Sequence, residues 1–263
     1  MTRFLQTLGL LLAFLPAFAQ KTLKLAPPFI QFESIFFEKQ GSATLEFAKT
    51  NTQIRYTTNG QNPTETDRAY TKPIVLKKRS SVLKARVFGE GFQPSETIEA
   101  TFYKAGFQID SIATTLPHQL YPGSGSRTLI DRLGGRDAFN SKTWMGFSAD
   151  TVSMELWLDK PVKTKQIMLH VLENQGAWIY LPQKVEVYTQ AKEGGHWELI
   201  SQTQAEAGEF QAKSLCKALW VNLKQAHKTQ HLLIKAYPLA NIPDSHPGKG
   251  NRAWLFIDEI NIY

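Results

Sequence analysis

Asp258 and Glu259 stand side by side in the closing segment IPDSHPGKGNRAWLFIDEINIY, behind a His, a short glycine-containing loop and a Trp. Adjacent carboxylates can run acid/base chemistry, hold a metal ion or merely end a strand. The segment AWLFIDEINIY reads as a strand, and successive side chains of a strand point to opposite faces. Two opposed carboxylates cannot act together on one bond from a strand interior, so the pair is not expected to be catalytic. Other reactive residue types are sparse. Cys216 is the only cysteine, so no internal disulfide forms, and a half-buried inert thiol is expected. No zinc site is expected among the six His residues.

The elements that must position these residues are strands. Short alternating runs are separated by Gly, Pro, Asn and Asp. Ala43, Leu45 and Phe47 alternate with polar residues, as do Ile54 and Tyr56, and Asn59–Gly60 is a strong turn signal. Val82, Ala85, Val87, Ile98, Ala100 and Phe102 extend the pattern to Lys104. Turns every 8–12 residues or so argue for an all-β sandwich. The rhythm breaks in AGFQIDSIATTLPHQLYPGSGSRT, which places a boundary near Ala105. Beyond it, Val152, Met154, Leu156 and Leu158 share a face, and so do Ile167, Leu169 and Val171. QKVEVYTQAKEGGHWELI reads as a hairpin turning at Gly194–Gly195. The expected organisation is a unit over residues 25–104 and a different, larger one over 106–263. With no disulfide, two hydrophobic cores, alone or with a metal, must then supply the stability.

Residues 1–19 read as a signal peptide: Arg3, an apolar run from Leu8 to Phe18, and small residues Ala17 and Ala19 at the cleavage point. The alternative, a membrane anchor, needs a run of about 20 apolar residues. Export to the periplasm, the outer surface or the medium is expected, with no membrane insertion. Formal net charge is +7 on 263 residues, and only KPIVLKKRSS is a basic cluster. That is too diffuse for a nucleic-acid stripe, so no nucleic-acid partner is expected.

IRYTTNGQNPTETDRAYTKPIVLKKRSSVLKARVFGEGFQPSE resembles the small β-sandwich at the C-terminal end of bacterial chitobiases and β-N-acetylhexosaminidases. The likeness is carried by Tyr56-Thr57, Asn59-Gly60, Pro63-Thr64, Tyr70, Pro73-Ile74 and Lys84-Ala85. LYPGSGSRTLIDRLGGRDAFNSKTWMGF, WIYLPQKVEVY and HPGKGNRAWLFIDEI resemble the discoidin-type module, the coagulation factor V/VIII C-type domain. One departure stands out: where that pattern carries Asp-Gly, this chain has Asp131-Arg132.

The resemblance implies two β-sandwiches, an immunoglobulin/fibronectin-like one and a discoidin-like jelly-roll. The several-hundred-residue catalytic barrel of the hexosaminidases has no counterpart in it. It therefore implies a non-catalytic carbohydrate-binding role, with a glycan carrying N-acetylhexosamine or galactose as partner. A protein–protein or structural role at the cell surface is the alternative. For sugar binding, aromatic planes with flanking donors are needed. The candidates are Tyr121, Trp144, Trp178, Tyr180, His246, Asn251 and Arg252. The resemblance also implies a structural Ca²⁺ between an early loop and the last strand, held by Asp131, Gly134, Asp137 and Glu259. A pairing of Glu259 with Arg136 is the competing reading.

Overall fold

The computed structural model describes residues 22–136, 138–190, 194–204 and 214–263. The signal-peptide segment 1–19 lies outside them. All regular elements among the described residues are strands or short 3-10 turns. No helix among them is long and apolar enough to cross a membrane.

The first unit holds eight strands: β1 (Phe29–Gln31), β2 (Phe36–Phe37), β3 (Gly41–Glu46), β4 (Thr52–Thr57), β5 (Arg68–Ala69), β6 (Ile74–Leu76), β7 (Ser80–Gly89) and β8 (Ile98–Lys104). They form a three-stranded sheet, β1-β3-β6, and a five-stranded sheet, β2-β8-β7-β4-β5. Much of the alternation seen in sequence is the inward face: Ala43, Leu45, Ala85, Val87 and Phe102 are buried, whereas on β7 Leu83 points inward and Val82 is half-buried on the opposite face.

The second unit holds seven: β9 (Ile109–Thr114), β10 (Met145–Phe147), β11 (Val152–Glu173), β12 (Lys184–Thr189), β13 (Glu198–Gln204), β14 (Leu215–Tyr237) and β15 (Leu255–Ile262). β11 and β14 are 22 and 23 residues long and pair antiparallel with each other over most of their length. Their register breaks between Trp157 and Val162 and again between Thr164 and Gln166. A bulge bends its strand. The first half of β11 therefore joins β9 and the end of β14, and its second half joins β15 and the start of β14. One core fills the space between the halves. Met154, Leu156, Ile167, Leu169, Val187, Ile234, Ile257 and Ile260 all contribute to it. The expected hairpin is present as β12 paired with β13, with Gly194 in the left-handed region at φ 74°.

The two expected cores are not independent. Met168 points away from the second core and joins the first, with Phe36, Tyr103 and the partly buried Trp220 and Tyr263 around it. That explains why every residue of β15 is buried. One face of the strand packs inward, and the other is covered by the first unit and by the loop after Ile130. Cys216, expected half-buried, is exposed at the start of β14, with Sγ 3.8 Å from Gly135 O.

Candidate functional site

Past Glu173 the chain makes a 3-10 turn, Gln175–Ala177, and the Asn174 side chain accepts the Ala177 N–H at 3.1 Å. Trp178 follows with φ 65° and ψ 20°. Left-handed backbone costs a non-glycine residue roughly 1–2 kcal/mol, and a bulky one is a real outlier there. Backbone bonds impose it: Trp178 N–H donates to Gln175 O at 2.9 Å, and Trp254 N–H donates to Trp178 O at 2.8 Å. The result is an indole held at the surface, 38% exposed. It leans on Gly248, where an added Cβ would come within 2.7 Å of the ring. Strain of this kind collects at ligand sites.

The loop from Leu239 to Trp254 supplies the surroundings. His246 is buried, and its Nδ1 accepts the Gly248 N–H at 2.9 Å. Asn251 Nδ2 donates to Gly248 O at 3.1 Å, leaving the residue exposed at the rim. Arg252, also exposed, pairs with Asp150. Tyr180 is buried and meets His246 edge-on at 6.4 Å. Burial, then the Glu173 charge, raises its phenol pKa. Beneath the turn, Glu173 accepts from Gln175 Nε2 at 2.9 Å and pairs with Lys217. Tyr121 lies next door, half-buried, with Trp254 at 5.4 Å and Phe256 at 4.9 Å.

Trp178, Tyr180, His246, Asn251 and Arg252 thus meet at one end of the sandwich, and Tyr121 adjoins them through Trp254. Tyr180 and His246 are framework, not contact surface, because both are buried. Trp144 does not belong. It is fully buried, donates from Nε1 to Arg136 O at 2.7 Å and stacks on His170 at 5.9 Å, so no pyranose reaches it. Its sequence signal was the unbroken apolar run into Met145 and Phe147. Glu173, Gln175 and Gly248 went unnoticed because polar and small residues in loops carry no period.

Three of the four residues expected to hold calcium, Asp131, Gly134 and Glu259, are described, and they belong to a contact between a loop and β15. β15 carries a bulge: His170 pairs with Glu259 and Val171 with Ile257, so Asp258 is the extra residue. The strand alternation is lost there, and both carboxylates turn to the same loop. Arg132 N–H donates to Glu259 Oε2 at 2.7 Å, and Gly135 N–H donates to Asp258 Oδ2. Asp131 accepts the Leu133 N–H at 2.9 Å within the loop itself. The first unit grips the other side. Ser34 Oγ donates to Arg132 O and Leu133 O at 2.7 and 2.9 Å, and Glu38 pairs with Arg132. At Gly134 an added Cβ would strike Ile35, 2.7 Å away. Among the described residues no three His, Cys, Asp or Glu groups stand close enough to hold a metal ion. Asp137 lies outside the described residues. The carboxylates of Asp131 and Glu259 accept backbone N–H groups of the loop, and through Ser34 and Glu38 that loop latches the two units together. Nor does the Arg136 pairing form: Glu259 is answered by Arg132 instead. His227 and His231 do have an H-x-x-x-H spacing. They lie on β14, where four residues span about 13 Å and cannot share an ion.

Glu259 is 1% exposed. Burial raises its pKa well above the usual carboxylate range; the Asp258 and Asp131 charges push the same way, against the pull of the Arg132 N–H. The fold therefore favours the protonated acid. Its contribution is fully present below the unfolded carboxylate pKa and is lost as pH rises through the folded one. Glu259→Gln is expected to match the parent near pH 4 and to exceed it at pH 7.5 by about 2–4 °C in Tm, the shift of ~1 kcal/mol in a chain this size. Thermal melts at both pH values, with calcium or EGTA, check this. A calcium-dependent Tm in the parent that vanishes in the variant would support the metal reading.

Residues 34–99 match the family model described as the chitobiase/β-hexosaminidase C-terminal domain. No curated protein matches the chain. Solved structures resemble it in part. A Ruminococcus gnavus GH29 fucosidase in complex with fucose aligns at 12% identity and TM-score 0.36, over 58% of this chain and 25% of its own. A Clostridium perfringens module, CpGH89CBM32-5, in complex with GalNAc-β-1,3-galactose aligns at 15% and 0.39, over 58% and 94%. A chitosan-binding module from Paenibacillus sp. IK-5 aligns at 10% and 0.38, over 60% and 96%. The chain spans about a quarter of the fucosidase. Likenesses at this level carry no functional argument.

Proposed function

We propose that the chain is an exported, non-catalytic glycan-binding protein, with its site at the Trp178 end of the second unit. The export part rests on the N-terminal sequence, Arg3 followed by an apolar run and Ala17-x-Ala19. The observation that carries the binding part is Trp178 itself, a partly exposed indole fixed in a strained backbone conformation. An aromatic plate of this kind takes the C–H face of a pyranose. Asn251 and Arg252 at the rim supply hydrogen-bond donors for its hydroxyl or acetamido groups. The proposed ligand carries N-acetylhexosamine or galactose units. The site is shallow, so affinity for one sugar ring is low, because little buried area offsets the cost of association. The first unit serves as a fixed packing partner that holds the second in place.

Asp258 and Glu259 take no part in chemistry on this reading. Both are 1% exposed beneath the 131–136 loop, out of a substrate's reach. Affinity electrophoresis against galactose- and N-acetylglucosamine-containing polysaccharides tests the proposal. Trp178→Ala is expected to lose about 30-fold or more in affinity, the factor of a ~2 kcal/mol central contact. The Tm should fall by no more than a few degrees, because alanine keeps the backbone conformation and the ring, 38% exposed, gives up only its packing on the Gly248 loop. Retained binding in Trp178→Ala, or no binding by the parent, sinks the proposal.

A further inference from the structure

We propose a second saccharide site, on the outer face of the second unit's sheet and centred on Trp157. It is built from other elements than the Trp178 loops and does not rest on that reading. Leu156 and Leu158 point into the core, so Trp157 between them points out. Its cross-strand partner is His231. The two rings stack at 4.8 Å and 23°, and Trp197 meets the same imidazole edge-on at 4.8 Å. His231 Nε2 is tied to Glu155 Oε1 at 2.7 Å. Trp157 is therefore a plate locked in orientation, which a binding platform requires.

Beside it opens a cleft of about 690 Å³, within the range of small-ligand sites. Trp157, Gln190, Gln230, Asp110, Asp159 and Lys228 line it. Its polar groups are pre-set. Gln190 Nε2 donates to Gly195 O at 2.8 Å, while Gln190 Oε1 is buried with no partner among the described residues. Gln230 Nε2 is shared between Leu158 O and Asp159 O at 3.0 and 3.2 Å. His231 Nδ1 also lacks a partner among the described residues. Buried polar atoms left unpaired cost free energy, and a hydroxyl donor reaching in on small side-chain motions would remove that cost. Two carboxylates against one lysine exclude a phosphate-rich ligand. Amides, carboxylates and an indole plate suit a neutral oligosaccharide, with its C–H face on Trp157 and its hydroxyl pairs on Asp110 and Asp159. Two weak sites on one chain would hold a polymer by avidity.

The test is an NMR titration of the full chain with chitotetraose, cellotetraose and galactobiose, following the tryptophan indole signals. At least one sugar is expected to shift the Trp157 and Trp197 signals, and the shifts should persist in Trp178→Ala. Gln190→Ala, which leaves the stacked rings in place, should weaken them at least tenfold without touching the Trp178 signal. Movement of Trp178 alone would overturn the cleft and leave the loop site standing. Movement of Trp157 alone would support the cleft and overturn the loop site. No indole movement with any of the three sugars would overturn both.

Discussion

Asp258→Ala is expected to cost about 3–5 kcal/mol, because it strips the acceptor from two buried donors, His170 Nδ1–H and Gly135 N–H, each costing about 1–3 kcal/mol when left unsatisfied. His170 Nδ1 faces both carboxylate oxygens, at 2.7 and 2.9 Å, with side chains 2% and 1% exposed. The bond needs the proton on Nδ1. Around it Trp144 stacks on the imidazole, and Phe36 and Tyr103 of the first unit meet it edge-on at 5.4 and 5.9 Å. Water cannot take over the carboxylate's role in such surroundings. The substitution also frees the Gly135 N–H, so it loosens the loop on which the first unit rests. Two effects follow from one change: a fall in Tm, and faster proteolysis between the units. Asp258→Asn should cost less, because one oxygen can still accept the Gly135 N–H while the nitrogen opposes Nδ1. Urea denaturation of the three chains checks the order. A cost below about 1 kcal/mol for the alanine variant would mean the pair holds nothing together.

That buried pair shows where sequence reasoning stops. The inward residues of β11 were legible because burial on one face writes a two-residue period, and Leu156 and Leu169 sit as expected. The run from Ile167 to Leu172 is apolar on both faces apart from His170, which is the mark of a strand covered twice. What covers it could not be read, since contact between units leaves no local period. The bulge at Asp258 was hidden for a related reason. A bulge is a property of pairing between two strands, here β15 and β11, and one strand's sequence looks regular across it. Arg132 was half legible. The related pattern has glycine there, and the structure puts Arg132 at φ 63°, the left-handed region that glycine favours. Trp178 gave no such warning. Its backbone is set by Asn174, Gln175 and Trp254, and nothing about a tryptophan announces φ 65°. The candidate site was therefore found by residue type and only sorted by burial: Trp144 went under, and Trp178 stayed out.

Gly106→Ala should be the other severe substitution, and its cause is backbone against backbone. Gly106 lies between β8 and β9, where the chain passes from one unit to the next. An ideal Cβ there would fall 2.0 Å from Ile262 O and 2.8 Å from Ile262 C. No side chain can swing away to relieve that contact; either the linker or the end of β15 must move. Both are pinned. Gly106 N–H donates to Asn261 Oδ1 at 2.9 Å, Phe107 N–H to Ile262 O at 2.7 Å, and Tyr263 Oη to Lys104 O at 2.7 Å. Overpacking usually costs about 1–3 kcal/mol, and a clash with main chain belongs at the top of that range or above it. Gly91→Ala is the control. Gly91 has φ 76° and nothing within 4 Å of its added Cβ, so alanine there meets only the left-handed penalty of about 1 kcal/mol. Calorimetry should show one transition for the parent and for Gly91→Ala. Gly106→Ala should show two, because displacing the linker separates the first unit from the Met168–Trp220 face before either sandwich melts. If Gly106→Ala melts in one step within about 0.5 kcal/mol of the control, the linker is slack and the two units are not held as a single body.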